Sequence, residues 1–239
     1  LPQTKTKLSW IGFNSPAAFS RYARRADRMD LSRLRGYYSA RTNRVAIVDT
    51  AADSRTAVRT ADRVRAVETH GTIAATDGDD HTARIVKIAH ELAHQLAFNT
   101  GLQKRGVMYP LWVSEGLATQ YETKLSYCRP VNQARSDRLE RMYAEGTLIP
   151  LEAFLTMTRM PAERRGCEDL YAQAWGFFNF LLTERPDQLR GYLKTLHALE
   201  AGYRRCAALE NECLDSFGPL QTLREDWHRH LSGQYPSAS

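Results

Sequence analysis

The pentapeptide His90-Glu91-Leu92-Ala93-His94 is the feature that most constrains this chain. It lies in a segment, residues 82–99, whose apolar residues recur at helical spacing, so a helix is predicted there. Residues four apart lie on the same helix face, about 5–6 Å between Cβ atoms, so the imidazoles of His90 and His94 can bind one cation. Glu91 is close enough to accept a proton from a metal-bound water without being a ligand. The pattern predicts a metal site with a general base beside it.

This helix is expected to bury one apolar stripe and to carry both histidines at its border. The stripe recurs every three or four residues and consists of Ile85, Ile88, Ala89, Leu92 and Leu96. In that position the histidines would face a cleft while the core holds their helix in place.

A third ligand is expected because a catalytic zinc site normally has three protein ligands and one open position. The candidate is Glu115, in the Trp-Val-Ser-Glu-Gly-Leu-Ala stretch of residues 112–118, near the start of a second predicted helix. His-Glu-x-x-His followed by Trp-x-x-Glu-Gly-x-Ala resembles the gluzincin metallopeptidases, the thermolysin-like and aminopeptidase-like clan. The stretches 90–99 and 110–119 look most like an uncharacterised bacterial branch of that clan, a domain of unknown function (DUF1570-like).

The resemblance implies a zinc metallopeptidase that hydrolyses peptide bonds in a peptide or protein substrate. One Zn²⁺ per chain would be held by His90, His94 and Glu115, where it lowers the pKa of a bound water toward about 7 and polarises the carbonyl. Glu91 would then take the water's proton and pass it to the departing amine. The clan usually adds an oxyanion donor, and the best match is Tyr171; a packing tyrosine with its hydroxyl at the surface is the alternative.

Specific contacts are also predicted for two residues close to the proposed Glu115 ligand. Gly116 lies inside a predicted helix, where glycine costs about 1 kcal/mol relative to alanine, so a close approach of another element is expected there. Thr119, one helical turn after Glu115, is placed to hydrogen-bond a zinc-bound histidine.

Two other functions stay open at this stage. A catalytically inactive gluzincin-like scaffold could bind a protein or cell-envelope partner, although an intact Glu91 argues against it. The net charge of +6 would suit an anionic polymer. However, the arginines of the first predicted helix fall mostly off its apolar stripe, and no recognised nucleic-acid motif accompanies them. The chain is therefore expected to bind no nucleic acid, and no apolar run approaches the length of a membrane span.

The whole chain predicts an α+β fold, with a small, mostly antiparallel N-terminal sheet packed on the metal-site helix and a mainly helical C-terminal part. One metallopeptidase-like domain is expected over residues 1–239, with the sheet and metal-site helices in 1–125 and a helical subdomain in 126–239. In the clan an edge strand binds substrate by strand addition, and the candidates here are residues 70–76 or 44–49.

Local signals place the individual elements. The N-terminal half predicts a short strand before residue 14, a helix after Ser15-Pro16, a hairpin over 36–49, a helix over 53–68 and a strand over 72–76. Further helices are predicted near 133–145, 150–158, 168–184, 187–199 and 215–232.

Four cysteines follow the proposed metal site: Cys128, Cys167, Cys206 and Cys213. None forms a Cys-x-x-Cys pair, so a second zinc site is not expected. An even number suits two disulfides in an oxidising compartment, with Cys206–Cys213 and Cys128–Cys167 as one of three connectivities and free buried thiols as the alternative. The chain begins with Leu1 rather than Met, so its numbering starts either after a removed signal or at an arbitrary boundary. Together with the even number of cysteines, this gives the expectation of a periplasmic or secreted bacterial protein whose signal peptide is outside the given chain.

Overall fold

The computed structural model describes residues 8–31, 34–48, 78–122 and 132–236, with the side chains of 78–84 left out. Contacts divide the chain into two compact units, Thr6–Gln95 and Leu96–Ser239. The α+β prediction is confirmed, because a small three-stranded sheet lies at the N-terminus and the remainder is mostly helical. Within the described ranges, every helix is too short or too polar to cross a membrane.

The N-terminal unit begins with alternating strand and helix. Its elements are β1 (Ser9–Phe13), α1 (Pro16–Tyr22), a π-helical turn (Ala23–Asp27), β2 (Gly36–Ser39) and β3 (Arg44–Val48). The predicted first strand, first helix and hairpin are therefore confirmed. The predicted helix over 53–68 and strand over 72–76 lie outside the described residues.

Local chemistry explains where these elements begin and turn. The Ser15 hydroxyl accepts a hydrogen bond from the backbone N–H of Ala18 at 3.2 Å, and Pro16 occupies the first position of α1. In the turn between β2 and β3, Asn43 has a φ of 55°, a left-handed conformation that asparagine tolerates better than most residues. The hairpin register follows, with Ser39 opposite Arg44.

The sheet has the order β1-β3-β2, so β3 is the central strand of the three described. β2 runs antiparallel to β3, whereas β1 runs parallel to it, because α1 and β2 return the chain to the same end of the sheet. Only one of the two pairings is thus antiparallel. Residues 44–48 have a neighbour on both sides and cannot accept a substrate strand, so that candidate is wrong. Its alternative, 70–76, lies outside the described residues.

Asp27 links the end of the π-helical turn to the hairpin. Its carboxylate accepts hydrogen bonds from the hydroxyls of Tyr37 (2.7 Å), Ser39 (2.6 Å) and Thr42 (3.1 Å), and Arg41 lies 3.4 Å away. Burial opposes ionisation, but these hydrogen bonds and the Arg41 charge outweigh it and hold the pKa of Asp27 below its usual 3.8. A small apolar cluster of Phe19, Ala23, Tyr37, Ala46 and Val48 packs nearby.

The predicted metal-site helix is α2 (Gly78–Asn99). The expected apolar stripe is wrong in part, since Ile85 and Leu96 are exposed. The buried positions are instead polar or small: His90, Glu91, Ala93, Gln95 and Ala97. A prediction from helical periodicity chooses the most apolar face of the helix as the buried one. In the structure α2 buries the neighbouring face, and the polar side chains on that face have interaction partners.

The Leu96–Ser239 unit contains the remaining helices. They are α3 (Leu111–Thr119), α4 (Gln133–Ala144), α5 (Leu151–Thr156), α6 (Arg164–Glu184), α7 (Pro186–Ala198), α8 (Cys206–Phe217) and α9 (Leu220–Gln234). α6 packs against α3, α4, α7 and α9 and supplies many of the aromatic side chains of the core.

The helices α4 to α7 match their predicted segments, but the single helix predicted near 215–232 is wrong. Two helices lie there, separated by Gly218 and Pro219. Gly218 has a φ of 88°, which a helix cannot accommodate, and Pro219 cannot donate a backbone hydrogen bond within a helix.

The predicted disulfide between Cys206 and Cys213 is wrong, because both are free thiols on α8. Seven residues of α-helix separate their backbones by about 10 Å along the axis, beyond the 7 Å that a disulfide can bridge. Burial raises the pKa of Cys213 to about 12. Cys167 is also a free thiol and donates to the carbonyl of Pro161, while Cys128 lies outside the described residues.

Candidate metal site

His90 and His94 meet at the tips of their imidazole rings. Their Nε2 atoms are 3.1 Å apart, and the ring planes cross at 81°. Two nitrogens at about 2.0–2.1 Å from one tetrahedral zinc lie about 3.4 Å from each other, close to this separation. The i, i+4 spacing on α2 thus produces the paired donors that the sequence predicts.

Glu115 joins the two histidines as a third donor. One ligand atom from each of His90, His94 and Glu115 can be chosen so that all three lie within 4.8 Å of one another. A tetrahedral zinc site holds its donors about 3.4 Å apart, so the 4.8 Å limit of this group is somewhat wider than the spacing around a bound ion. Two imidazole nitrogens and a carboxylate oxygen form a set that zinc favours.

The helix that carries Glu115 is held unusually close to α6. A Cβ atom on Gly116 would lie 2.7 Å from the carbonyl oxygen of Ala174 and 2.9 Å from the Cβ of Phe178, so only glycine fits. The amide of Gln120 reinforces the contact, donating to the carbonyls of both Gly116 and Trp175 at 3.0 Å. The close approach predicted at Gly116 is confirmed, and it fixes the backbone next to the third ligand.

Thr119 has a different partner from the one expected. Its buried hydroxyl donates to the backbone carbonyls of Glu115 (2.8 Å) and Gly116 (3.0 Å). A threonine on a helix commonly donates to the carbonyl one turn earlier, and this local bond is the one that the structure shows for Thr119.

Glu91 is buried on α2, with only 4% of its surface exposed. The ammonium of Lys87 lies 2.8 Å from its Oε1. Lys87 was not predicted, although its position four residues before Glu91 places it on the same face of the helix.

Gln95 was also missed, and it connects the metal-site helix to the sheet. Its fully buried amide donates to the carbonyls of Ser9 (3.4 Å) and Asn43 (3.0 Å), and its oxygen accepts from the indole N–H of Trp10 at 3.2 Å. These bonds reach β1 and the turn before β3, so this polar side chain connects α2 to the sheet. A glutamine next to His94 gave no signal of this role.

Tyr171 lies on α6, and the guanidinium of Arg135 covers its ring, 4.8 Å from the ring centre. Arg135 is itself held by two hydrogen bonds to the carboxylate of Glu122. The ring is thus engaged in packing, and the hydroxyl's role as an oxyanion donor stays a prediction.

Comparison with known proteins adds one relationship. Residues 84–199 match the family model described as a protein of unknown function (DUF1570). The match supports the DUF1570-like resemblance and contains all five predicted site residues, from His90 to Tyr171. It states no activity. No curated protein and no solved structure matches the chain.

Proposed function

We propose that this protein is a zinc-dependent peptidase of the gluzincin type. The observation that carries the proposal is the grouping of His90, His94 and Glu115, with ligand atoms within 4.8 Å, next to the buried carboxylate of Glu91. The donor set suits zinc, and a general base is of no use to a purely structural metal site.

In the proposed hydrolysis of a peptide bond, the metal and the side chains have different roles. Bound zinc would supply a Lewis acid that favours both ionisation of water and attack on the carbonyl. Glu91 takes one proton from the attacking water as the new C–O bond forms, and delivers it to the amine nitrogen as the C–N bond breaks. Tyr171 is proposed to donate its phenolic proton in a hydrogen bond to the oxyanion.

The first experiment measures zinc by elemental analysis of the purified chain, loaded with zinc and then desalted. We expect about one zinc per chain in the wild type and a large loss in Glu115→Ala, because a site with two ligands binds zinc weakly. Glu168→Ala, which removes a glutamate on α6 whose side chain is 46% exposed, is the control and should retain the metal. A wild type without zinc would overturn the proposal.

A second experiment separates an enzyme from an inactive scaffold. Fluorescein-labelled casein is incubated with the zinc-loaded wild type and with Glu91→Gln, which keeps the shape of the side chain. Glu91→Gln should retain zinc and lose at least about 100-fold in rate. Stoichiometric zinc with no cleavage of casein or of a peptide library would instead favour a scaffold that binds a protein or cell-envelope partner.

A further inference from the structure

The contact between Lys87 and Glu91 joins a partly exposed cation to a buried anion. Lys87 Nζ lies 2.8 Å from Glu91 Oε1, and the two side chains are 33% and 5% exposed. A buried carboxylate loses much of its hydration, so one fixed cation has a strong influence on where it points. A carboxylate with one oxygen engaged in this way still has acceptor capacity on the other.

A second pair on the chain shows that spacing alone does not explain this contact. Arg164 and Glu168 on α6 have the same i, i+4 order and the same 2.8 Å separation, but they are 92% and 46% exposed. With the basic residue on the N-terminal side, this order is the weaker one for helix stability. The two pairs thus differ in the burial of both side chains, and only the Lys87–Glu91 pair holds a nearly inaccessible carboxylate.

The stem of Lys87 runs across the start of β2. A Cβ atom on Gly36 would lie 3.3 Å from Lys87 Cε, and 3.4 Å from both the carbonyl of Ala46 and Cγ1 of Ile47. Because residue 36 is glycine, the space beside the Lys87 side chain is not occupied by another side chain at this position. Sheet and helix together therefore define the path of Lys87 to Glu91.

We infer that Lys87 is a positioning residue for Glu91, whose ammonium holds the carboxylate in the orientation needed for proton transfer. The inference rests on the proposed function for the identity of the general base. It assigns Lys87 no part in metal binding. Loss of the ammonium should change the orientation of Glu91 and the turnover rate, while leaving zinc content and substrate affinity nearly unchanged.

The test compares zinc-loaded wild type, Lys87→Met and Lys87→Arg, with Arg164→Met as the matched control. Crystal structures should show the Glu91 carboxylate displaced in Lys87→Met and unmoved in Lys87→Arg. On labelled casein, kcat should fall about 10- to 100-fold in Lys87→Met, the loss typical of a misplaced catalytic group, with KM within about twofold. Lys87→Arg should recover most of the rate, and Arg164→Met should match the wild type.

A Glu91 carboxylate that stays in place in Lys87→Met would overturn the inference, as would an unchanged kcat. A wild type that binds no zinc would overturn the proposed function instead, and the crystal comparison would still test the orientation of Glu91. The variant Gly36→Ala keeps both charges and serves if Lys87→Met does not fold. Its added methyl group should displace the lysine and lower kcat, and an unchanged kcat would contradict the inferred path of Lys87.

Discussion

The two compact units bury different kinds of groups. In Leu96–Ser239 the interior is aromatic: Phe177 packs its ring edge-on against Trp112, Phe154 and Trp227, with centroids 5.3–5.6 Å apart. In Thr6–Gln95 the apolar cluster is small, and buried polar side chains such as Asp27 and Gln95 make the long-range contacts. The stability of the helical unit should therefore depend mainly on buried apolar side chains. The stability of the N-terminal unit should depend more on hydrogen bonds and charge.

The largest effect is expected from Phe177→Ala in the aromatic core. Removing a fully buried ring that packs against four other aromatic rings should lower the free energy of unfolding by about 3–5 kcal/mol. Urea denaturation followed by circular dichroism measures the change. Leu182→Ala, an exposed site on the same helix, should stay within about 0.5 kcal/mol. A loss under 1 kcal/mol for Phe177→Ala would show that the core refills the cavity.

In the N-terminal unit, Gln95→Leu should cost about 1–3 kcal/mol, because it leaves two partly buried carbonyls and an indole N–H without their amide partner. The side chain keeps its size, so packing is little affected. Urea denaturation again measures the change, and the adjacent exposed Leu96→Ala is the control. Equal stability of Gln95→Leu and wild type would contradict the view that polar contacts hold α2 to the sheet.

A smaller effect is expected at Asp27, whose contribution to the stability of the N-terminal unit should depend on pH. Its pKa is lower in the folded state than in the unfolded state, so its contribution to stability is complete above about pH 5 and is lost as the pH falls through the folded pKa. Thermal unfolding of wild type and Asp27→Asn between pH 7 and pH 3 measures it. The wild type should be the more stable at pH 7, and the gap should narrow toward pH 3. A gap independent of pH would exclude this origin.

The smallest effect is expected at the exposed thiol of Cys206. Without a disulfide to Cys213, Cys206→Ser should change the free energy of unfolding by less than about 0.5 kcal/mol. A native bridge would instead cost about 2–5 kcal/mol when removed. Non-reducing mass spectrometry of the wild type provides a second check, since a peptide linked through Cys206 and Cys213 would contradict the structure.

The grouping of the candidate metal ligands could be predicted in part from sequence, because the spacing of His90 and His94 is a local property of helices. His90 and His94 need only the i, i+4 geometry of α2, and the structure brings Glu115 to them as the downstream motif suggested. The close contact at Gly116 could also be predicted, since a glycine inside a helix lowers stability and its presence there suggests that another element approaches closely. The inferences about the histidine pair and Gly116 used neighbours along the chain, whereas Glu115 was inferred from the order of two motifs.

The errors arose where contacts are distant in sequence. The buried face of α2 could not be predicted, because it depends on Gln95 reaching Ser9 and Asn43, 86 and 52 positions away. The parallel pairing joins β1 to β3, which are separated in the sequence by α1 and β2. The cysteine pairing was wrong for a simpler reason: α8 was not predicted, and a helix holds Cys206 and Cys213 too far apart.

The close contact at Gly116 also gives protein engineering a way to adjust the site from outside. Because a Cβ there would meet Ala174 backbone at 2.7 Å, a larger residue must push α3 away from α6, and Glu115 moves with its helix. Small substitutions across this contact, on the α6 side at Phe178, would change the spacing in finer steps. A library of α6 variants would then shift the Glu115 carboxylate while leaving His90, His94 and Glu115 themselves unchanged.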